Sequence, residues 1–107
     1  MKTKKYTYYS IFLFDKESSN AISIEFPDLP GCLSCAYNYS KAKKNAREAL
    51  ILYLHGMNAD DIPASNYIKI KNECAENSEI IKITVKMREK DGKLVGKGVK
   101  QFKSNFT

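Results

Sequence analysis

The stretch "FPDLPGCLSC", residues 26–35, sets two cysteines three positions apart just after a proline-bounded turn. Cys32 and Cys35 have the spacing of a dithiol redox couple or of half a zinc site. A redox pair needs its thiolate stabilised, typically at a helix N-terminus, and Cys35 falls in what reads as a strand. Zinc needs four ligands, and the chain's three cysteines and one histidine leave only Cys74 and His55 to complete the set. That set uses every soft ligand present and has no second clustered pair, so no metal, cofactor or dithiol chemistry is expected. The odd cysteine count also argues against a disulfide scaffold. No glycine-rich phosphate loop and no Ser/His/Asp arrangement occurs. The chain reads as a non-enzyme with no catalytic residues, and the role left to Pro27, Asp28, Leu29, Pro30 and Gly31 is contact with a partner.

The other chemistry on offer is cationic. The net charge is +6, and its distribution is uneven: residues 1–79 hold ten Lys/Arg and ten Asp/Glu, whereas residues 80–107 hold eight Lys/Arg against Glu89 and Asp91. Lys82, Lys86, Arg88, Lys90, Lys93, Lys97, Lys100 and Lys103 interleave with Phe102 and Phe106. A two-stranded ribbon can enter a major groove, and cations mixed with aromatics can grip a single strand. Lysine predominates over arginine, which favours phosphate contact over base reading. The competing reading is edge protection, in which lysines on an exposed strand block edge-to-edge aggregation. A second cluster, Lys41, Lys43, Lys44 and Arg47, favours DNA, RNA or another anionic partner.

One small domain has to position these groups, since 107 residues have room for a single core. Tyr6–Phe14 is β-branched or aromatic almost throughout and predicts a strand buried on both faces. "DKESSN" (15–20) is a turn, and Ala21–Phe26 alternates with Ile22, Ile24 and Phe26 on one face, completing a hairpin. Pro27 and Pro30 end that strand because neither can donate a ladder hydrogen bond, and Gly31 supplies the positive φ that closes the turn. Cys32–Tyr37 predicts a third short strand. Asn38 then caps a helix whose apolar or small residues recur at Tyr39, Ala42, Ala46, Ala49, Leu50, Tyr53 and Met57, ending near Gly56.

Lysines at the start of that helix oppose its dipole at about 0.3–1 kcal/mol each, so an anion or another part of the protein must offset them. After a loop at "NADDIPASN", "YIKIK" (67–71) predicts a short strand. Ile80–Met87 alternates again, Asp91-Gly92 is a tight-turn dipeptide, and "KLVGKGVKQF" returns beside it.

The order of these elements resembles the HicB-like antitoxin family. The residues that carry the resemblance are "YYSIF" (8–12), "EFPDLPGC" (25–32), "NAREALILYLHGM" (45–57) and "IPAS" (62–65). The resemblance implies an α+β fold, a small antiparallel sheet of three to five strands packed on one long helix in a partial ribonuclease H-like arrangement, with a C-terminal basic β-hairpin. The chain is expected to divide into a domain at 1–87 and a basic tail at 88–107; family members usually continue into a helix-turn-helix or ribbon-helix-helix module, and this tail is too short and too glycine-interrupted for either.

The resemblance also implies a homo-oligomer that binds and occludes a small toxin acting on mRNA, through the sheet and the Pro27–Gly31 turn. A phage-borne inhibitor of another nucleic-acid enzyme, such as an RNA-guided nuclease, is the alternative. Nuclease activity of the fold would need several carboxylates around metal ions roughly 4 Å apart. Tyr6–Phe14 contains none, while Glu25, Asp28, Asp60 and Asp61 fall in or beside loops. A cytoplasmic location is expected, since no run of about 18 apolar residues occurs and no cleavage site follows the basic start.

Overall fold

The computed structural model describes residues 3–14 and 21–97. The expected turn at 15–20, together with Lys100, Phe102, Lys103 and Phe106, lies outside the described residues. In chain order the elements are β1 (Thr3–Phe14), β2 (Ile22–Glu25), β3 (Leu33–Ala36), α1 (Tyr39–Leu54), a 3-10 turn at Ala59–Asp61, α2 (Tyr67–Glu73), β4 (Ser78–Lys90) and β5 (Lys93–Gly96). The five strands form one antiparallel sheet in the order β3-β2-β1-β4-β5. Its centre is the long β1–β4 pair, in register from Thr3 opposite Arg88 to Leu13 opposite Ser78.

Side-chain alternation decides which face of that pair is buried. Tyr8, Ser10 and Phe12 of β1 point inward with Ile81, Ile83, Val85 and Met87 of β4. α1 lies against them with Ala42, Ala46, Leu50 and Leu54, all fully buried; the two alanines let the helix approach the sheet closely. Each large apolar side chain so buried stabilises the fold by about 1.5–3 kcal/mol. Ser10, the one buried polar residue among those described, donates its hydroxyl to the Ile81 carbonyl at 2.9 Å.

The expectation that β1 is buried on both faces needs correction. Its outer face is only half-covered at Tyr9 and Ile11 and is exposed at Lys5 and Thr7. Partial cover comes from α2, whose Tyr67 ring sits 4.9 Å from that of Tyr9.

"YIKIK" is likewise not a strand but the body of α2. Alternation would place Ile68 and Ile70 on one face, whereas Ile70 is 1% exposed and Ile68 71%, the separation a helix produces. The Asn66 side chain caps the helix by accepting from the Lys69 N–H at 3.1 Å.

α1 begins as its sequence predicts: the Asn38 side chain accepts the Lys41 N–H at 2.8 Å. Past the helix end, Gly56 adopts φ +88°. Residues 56–59 then run along β5: Gly56 N–H donates to Leu94 O at 2.8 Å, Leu94 N–H to Met57 O at 2.9 Å, and Ala59 N–H to Gly92 O at 2.8 Å. The outer edge of β5 is therefore covered. No helix among the described residues is long and apolar enough to cross a membrane.

Candidate functional site

The turn between β2 and β3 is built from two overlapping hydrogen-bonded bends. Leu29 N–H donates to Phe26 O and Cys32 N–H to Leu29 O, both at 2.9 Å, and Phe26 N–H closes the loop on Cys32 O at 3.2 Å. Gly31 takes φ +86°, which a side chain would resist. Within the turn the five residues occupy different environments. Leu29 is fully buried and anchors the turn, Pro27 and Asp28 are half-buried, and Pro30 and Gly31 are exposed.

Two side-chain contacts pin the turn from outside. Tyr53 on α1 donates its hydroxyl to Pro30 O at 2.9 Å. Asp28 Oδ2 accepts the backbone N–H of Asn66 at 2.7 Å. The segment before Asn66 is fastened to β1 in turn, through Tyr8 Oη donating to Pro63 O and Tyr9 N–H donating to Ser65 Oγ at 3.2 Å. Burial, with lesser effects of Tyr6 and Asp28, raises the Tyr8 phenol above its ordinary pKa, so the hydroxyl keeps the proton it donates. The "PDLPG" and "IPAS" stretches, far apart in sequence, thus meet at one corner of the sheet.

Next to this corner an open groove of about 440 Å³ runs between β3 and α1, lined by residues that include Gly31, Leu33, Asn45, Glu48, Leu52 and Tyr53. Leu33 is 63% and Leu52 50% exposed, so both sides of the groove present apolar surface. β3 is the terminal strand on this side of the sheet. Asn45 reaches from α1 to donate to Cys35 O at 2.9 Å. Sequence reasoning missed Leu33, Asn45, Leu52 and Tyr53 as part of the site. Only Leu52 carried a signal, as a large apolar residue off the buried stripe of its helix.

The two cysteines of the opening stretch are set apart. Cys32 is buried, with its thiol 3.7 Å from Ala49 O, and burial pushes its pKa up to about 11; Cys35 is exposed. His55 accepts the Gly96 N–H on Nδ1 at 3.1 Å, joining the end of α1 to β5. Among the described residues no three His, Cys, Asp or Glu come together to hold a metal ion.

The cations fall into distinct places. Lys41, Lys43 and Lys44 are exposed on the first turns of α1, where Lys43 Nζ lies 5.2 Å from the Tyr39 ring centroid. A cation–π contact at an exposed site is worth about 0.5–1 kcal/mol, enough to offset one unfavourable dipole interaction. Lys86, Arg88, Lys90 and Lys93 are exposed along β4 and β5, with Lys97 just beyond. Arg47, Lys86 and Lys97 come together, with Lys5, Ile51 and Thr84, around a second cleft of about 480 Å³. Lys5 had no place in the sequence-based assignment.

Comparison with known proteins places these features in a family. Over 48 residues, 43% of this chain, the sequence is 42% identical to an uncharacterized 14.9 kDa protein encoded in the rep-hol intergenic region of Haemophilus phage HP1 (strain HP1c1). The matched segment spans 36% of that relative. A model of the HicB-like antitoxin of bacterial toxin–antitoxin systems matches residues 9–98, most of the chain, including the turn, α1, β2 to β5 and β1 from Tyr9 onward. The chain belongs to the HicB-like antitoxin family.

Proposed function

We propose that the chain neutralises a small toxin acting on mRNA by seating it against the Pro27–Gly31 turn and the adjoining groove between β3 and α1. Membership in an antitoxin family implies a regulatory protein with a toxin partner; the surface and the mode of occlusion are our reading. The observation that carries it is the pairing of a rigid turn with exposed apolar surface: Pro30 is held by Tyr53, and Leu33 and Leu52 stand open beside it. An immobilised turn loses little entropy on docking, and a terminal strand offers backbone groups for an added strand. We read the fold as a reduced ribonuclease H-like domain used for binding, since β1 carries no carboxylate for metal-dependent cleavage.

The test is capture of the tagged chain from its host after nuclease treatment, followed by assay of the small protein that co-elutes. That protein alone should degrade mRNA or arrest translation, and the wild-type chain should silence it at near-equal stoichiometry. Leu33→Asp and Leu52→Asp should fail to silence it while remaining folded. A captured toxin that both variants still silence would place the interface elsewhere.

A second reading, a phage-borne inhibitor of another nucleic-acid enzyme, draws support from the phage relative. Co-elution of a large nuclease in the same experiment would favour it over the toxin.

A further inference from the structure

We propose that the outer face of the β1–β4 pair, with the cleft at its margin, binds the phosphodiester backbone of a nucleic acid. This surface is distinct from the turn between β2 and β3, and the proposal stands whether or not that turn meets a toxin.

The first observation is register. Residues directly opposite on antiparallel strands share a face, and the outer face of this pair reads Thr3 with Arg88, Lys5 with Lys86, Thr7 with Thr84, and Tyr9 with Lys82. Three of these four rungs carry a cation and none carries an acid. Lys5 and Lys86 stand directly across from each other, and Lys90 and Lys93 do so at the hairpin end. Like charges in that position destabilise a sheet, and nothing in the packing requires them, because both lysines of the Lys5–Lys86 rung are exposed. A bound anion would turn the repulsion into a gain.

The second observation is convergence. The cleft unites Lys5 from β1, Lys86 from β4, Arg47 from α1 and Lys97 beyond β5, and among the described residues no carboxylate lines it. These cations come from four separate places in the chain, so composition of one segment does not explain their meeting. Edge protection does not explain it either. Arg47 lies on a helix, the outer edge of β5 is covered by residues 56–59, and the terminal strand β3 contains no cation.

The third observation selects the ligand. The cations repeat along alternate positions of a strand, about 6.6–6.8 Å per pair of residues, interspersed with the hydroxyls of Thr7 and Thr84, which are 2.8 Å apart. Repeated point charges with hydroxyl donors suit a repeated phosphate rather than one isolated anion. Tyr67, exposed at the lower end of the face beside Tyr9, adds a ring on which a base can stack.

The experiment is fluorescence anisotropy of the full chain with a short labelled single-stranded RNA, a labelled duplex DNA and labelled polyglutamate, each across a salt series. The expected result is binding of nucleic acid whose log–log salt dependence falls in the double variant Lys5→Gln/Lys86→Gln by about 0.7 per lost contact on a single strand or about 0.9 on a duplex. The better-bound probe identifies the source of the phosphate. The same variant should melt no lower than the wild type, because it removes a repulsive pair. Arg47→Gln, on a helix surface outside the strand pairing, gives an independent reduction, and Lys69→Gln on α2 leaves the slope unchanged. Absence of nucleic-acid binding at low salt, a slope unaltered in both the double variant and Arg47→Gln, or equal binding of polyglutamate overturns the proposal.

Discussion

The carboxylate of Asp28 accepts the backbone N–H of Asn66 at 2.7 Å, and the side chain of that same Asn66 caps α2 through the Lys69 N–H. One acceptor in the β2–β3 turn therefore holds the start of a helix that packs on the opposite face of the sheet from α1. Removing it in Asp28→Ala should cost about 1.5 kcal/mol, the low end of the range for a hydrogen bond to a charged group, because the carboxylate is only half-buried. The Asn66 amide should exchange with solvent markedly faster, while amides in the middle of β4 should change only by the global loss. Hydrogen exchange read residue by residue makes this comparison.

Leu29 and Pro30 are neighbours with opposite roles in the turn. Leu29 is fully buried, and Leu29→Ala should destabilise the fold by about 2–5 kcal/mol through lost transfer energy and a residual cavity. Pro30 is exposed and contributes its carbonyl to Tyr53, an atom that survives substitution, so Pro30→Ala should cost under about 1 kcal/mol. Urea denaturation of the two variants separates anchoring from surface.

The cysteines should react in a fixed order. At neutral pH an alkylating reagent should modify exposed Cys35 in the native protein, while Cys32 should wait for unfolding. Mass mapping of the labelled sites checks this.

Burial also sets a pH dependence. An unfolded chain releases the Cys32 proton near the ordinary thiol pKa of about 8.5, whereas the native protein holds it until about 11. Between those values the folded state binds more protons than the unfolded one, so stability falls as pH rises. It should be fully present below the window. Urea midpoints across the alkaline range should decline in the wild type and decline less in Cys32→Ala, which starts from lower stability but lacks the titrating thiol. Tyr8, also raised by burial, acts in the same direction at higher pH.

The β4–β5 turn places Asp91 at φ +54° and Gly92 at φ +78°, the two left-handed residues of a tight hairpin. Gly92→Ala should cost about 1 kcal/mol through backbone strain. The loss should fall on β5, whose Leu94 is buried against the core, and should be visible as faster exchange of the Leu94 amide.

Much of the architecture can be read from contiguous residues. Alternation at Ile22, Ile24 and Phe26 predicts a strand with one buried face, Asn38 marks the start of α1, Gly31 closes a proline-bounded turn, and Asp91-Gly92 marks a hairpin. These are local properties, because the periods of helix and strand and the φ demands of turns act within a few residues. Local preference failed where it was weak. "YIKIK" has the composition of a strand, and α2 forms because the Asn66 cap and the burial of Ile70 alone outweigh it.

Contacts between distant segments depended on the tertiary structure. The family resemblance ordered "PDLPG" and "IPAS" along the chain, but only folding brought Asp28 to Asn66 and Tyr8 to Pro63. The charge count located an excess of cations near the end of the chain, yet the register of β1 on β4 decided that Lys5 faces Lys86, and the path of α1 brought Arg47 to the same cleft. Sheet order likewise decided which edge stays open, leaving β3 terminal while residues 56–59 cover β5. Local sequence thus determined the elements, because their rules act over a few residues. Packing between those elements decided the surfaces, because a surface is assembled from residues that only the folded chain makes neighbours.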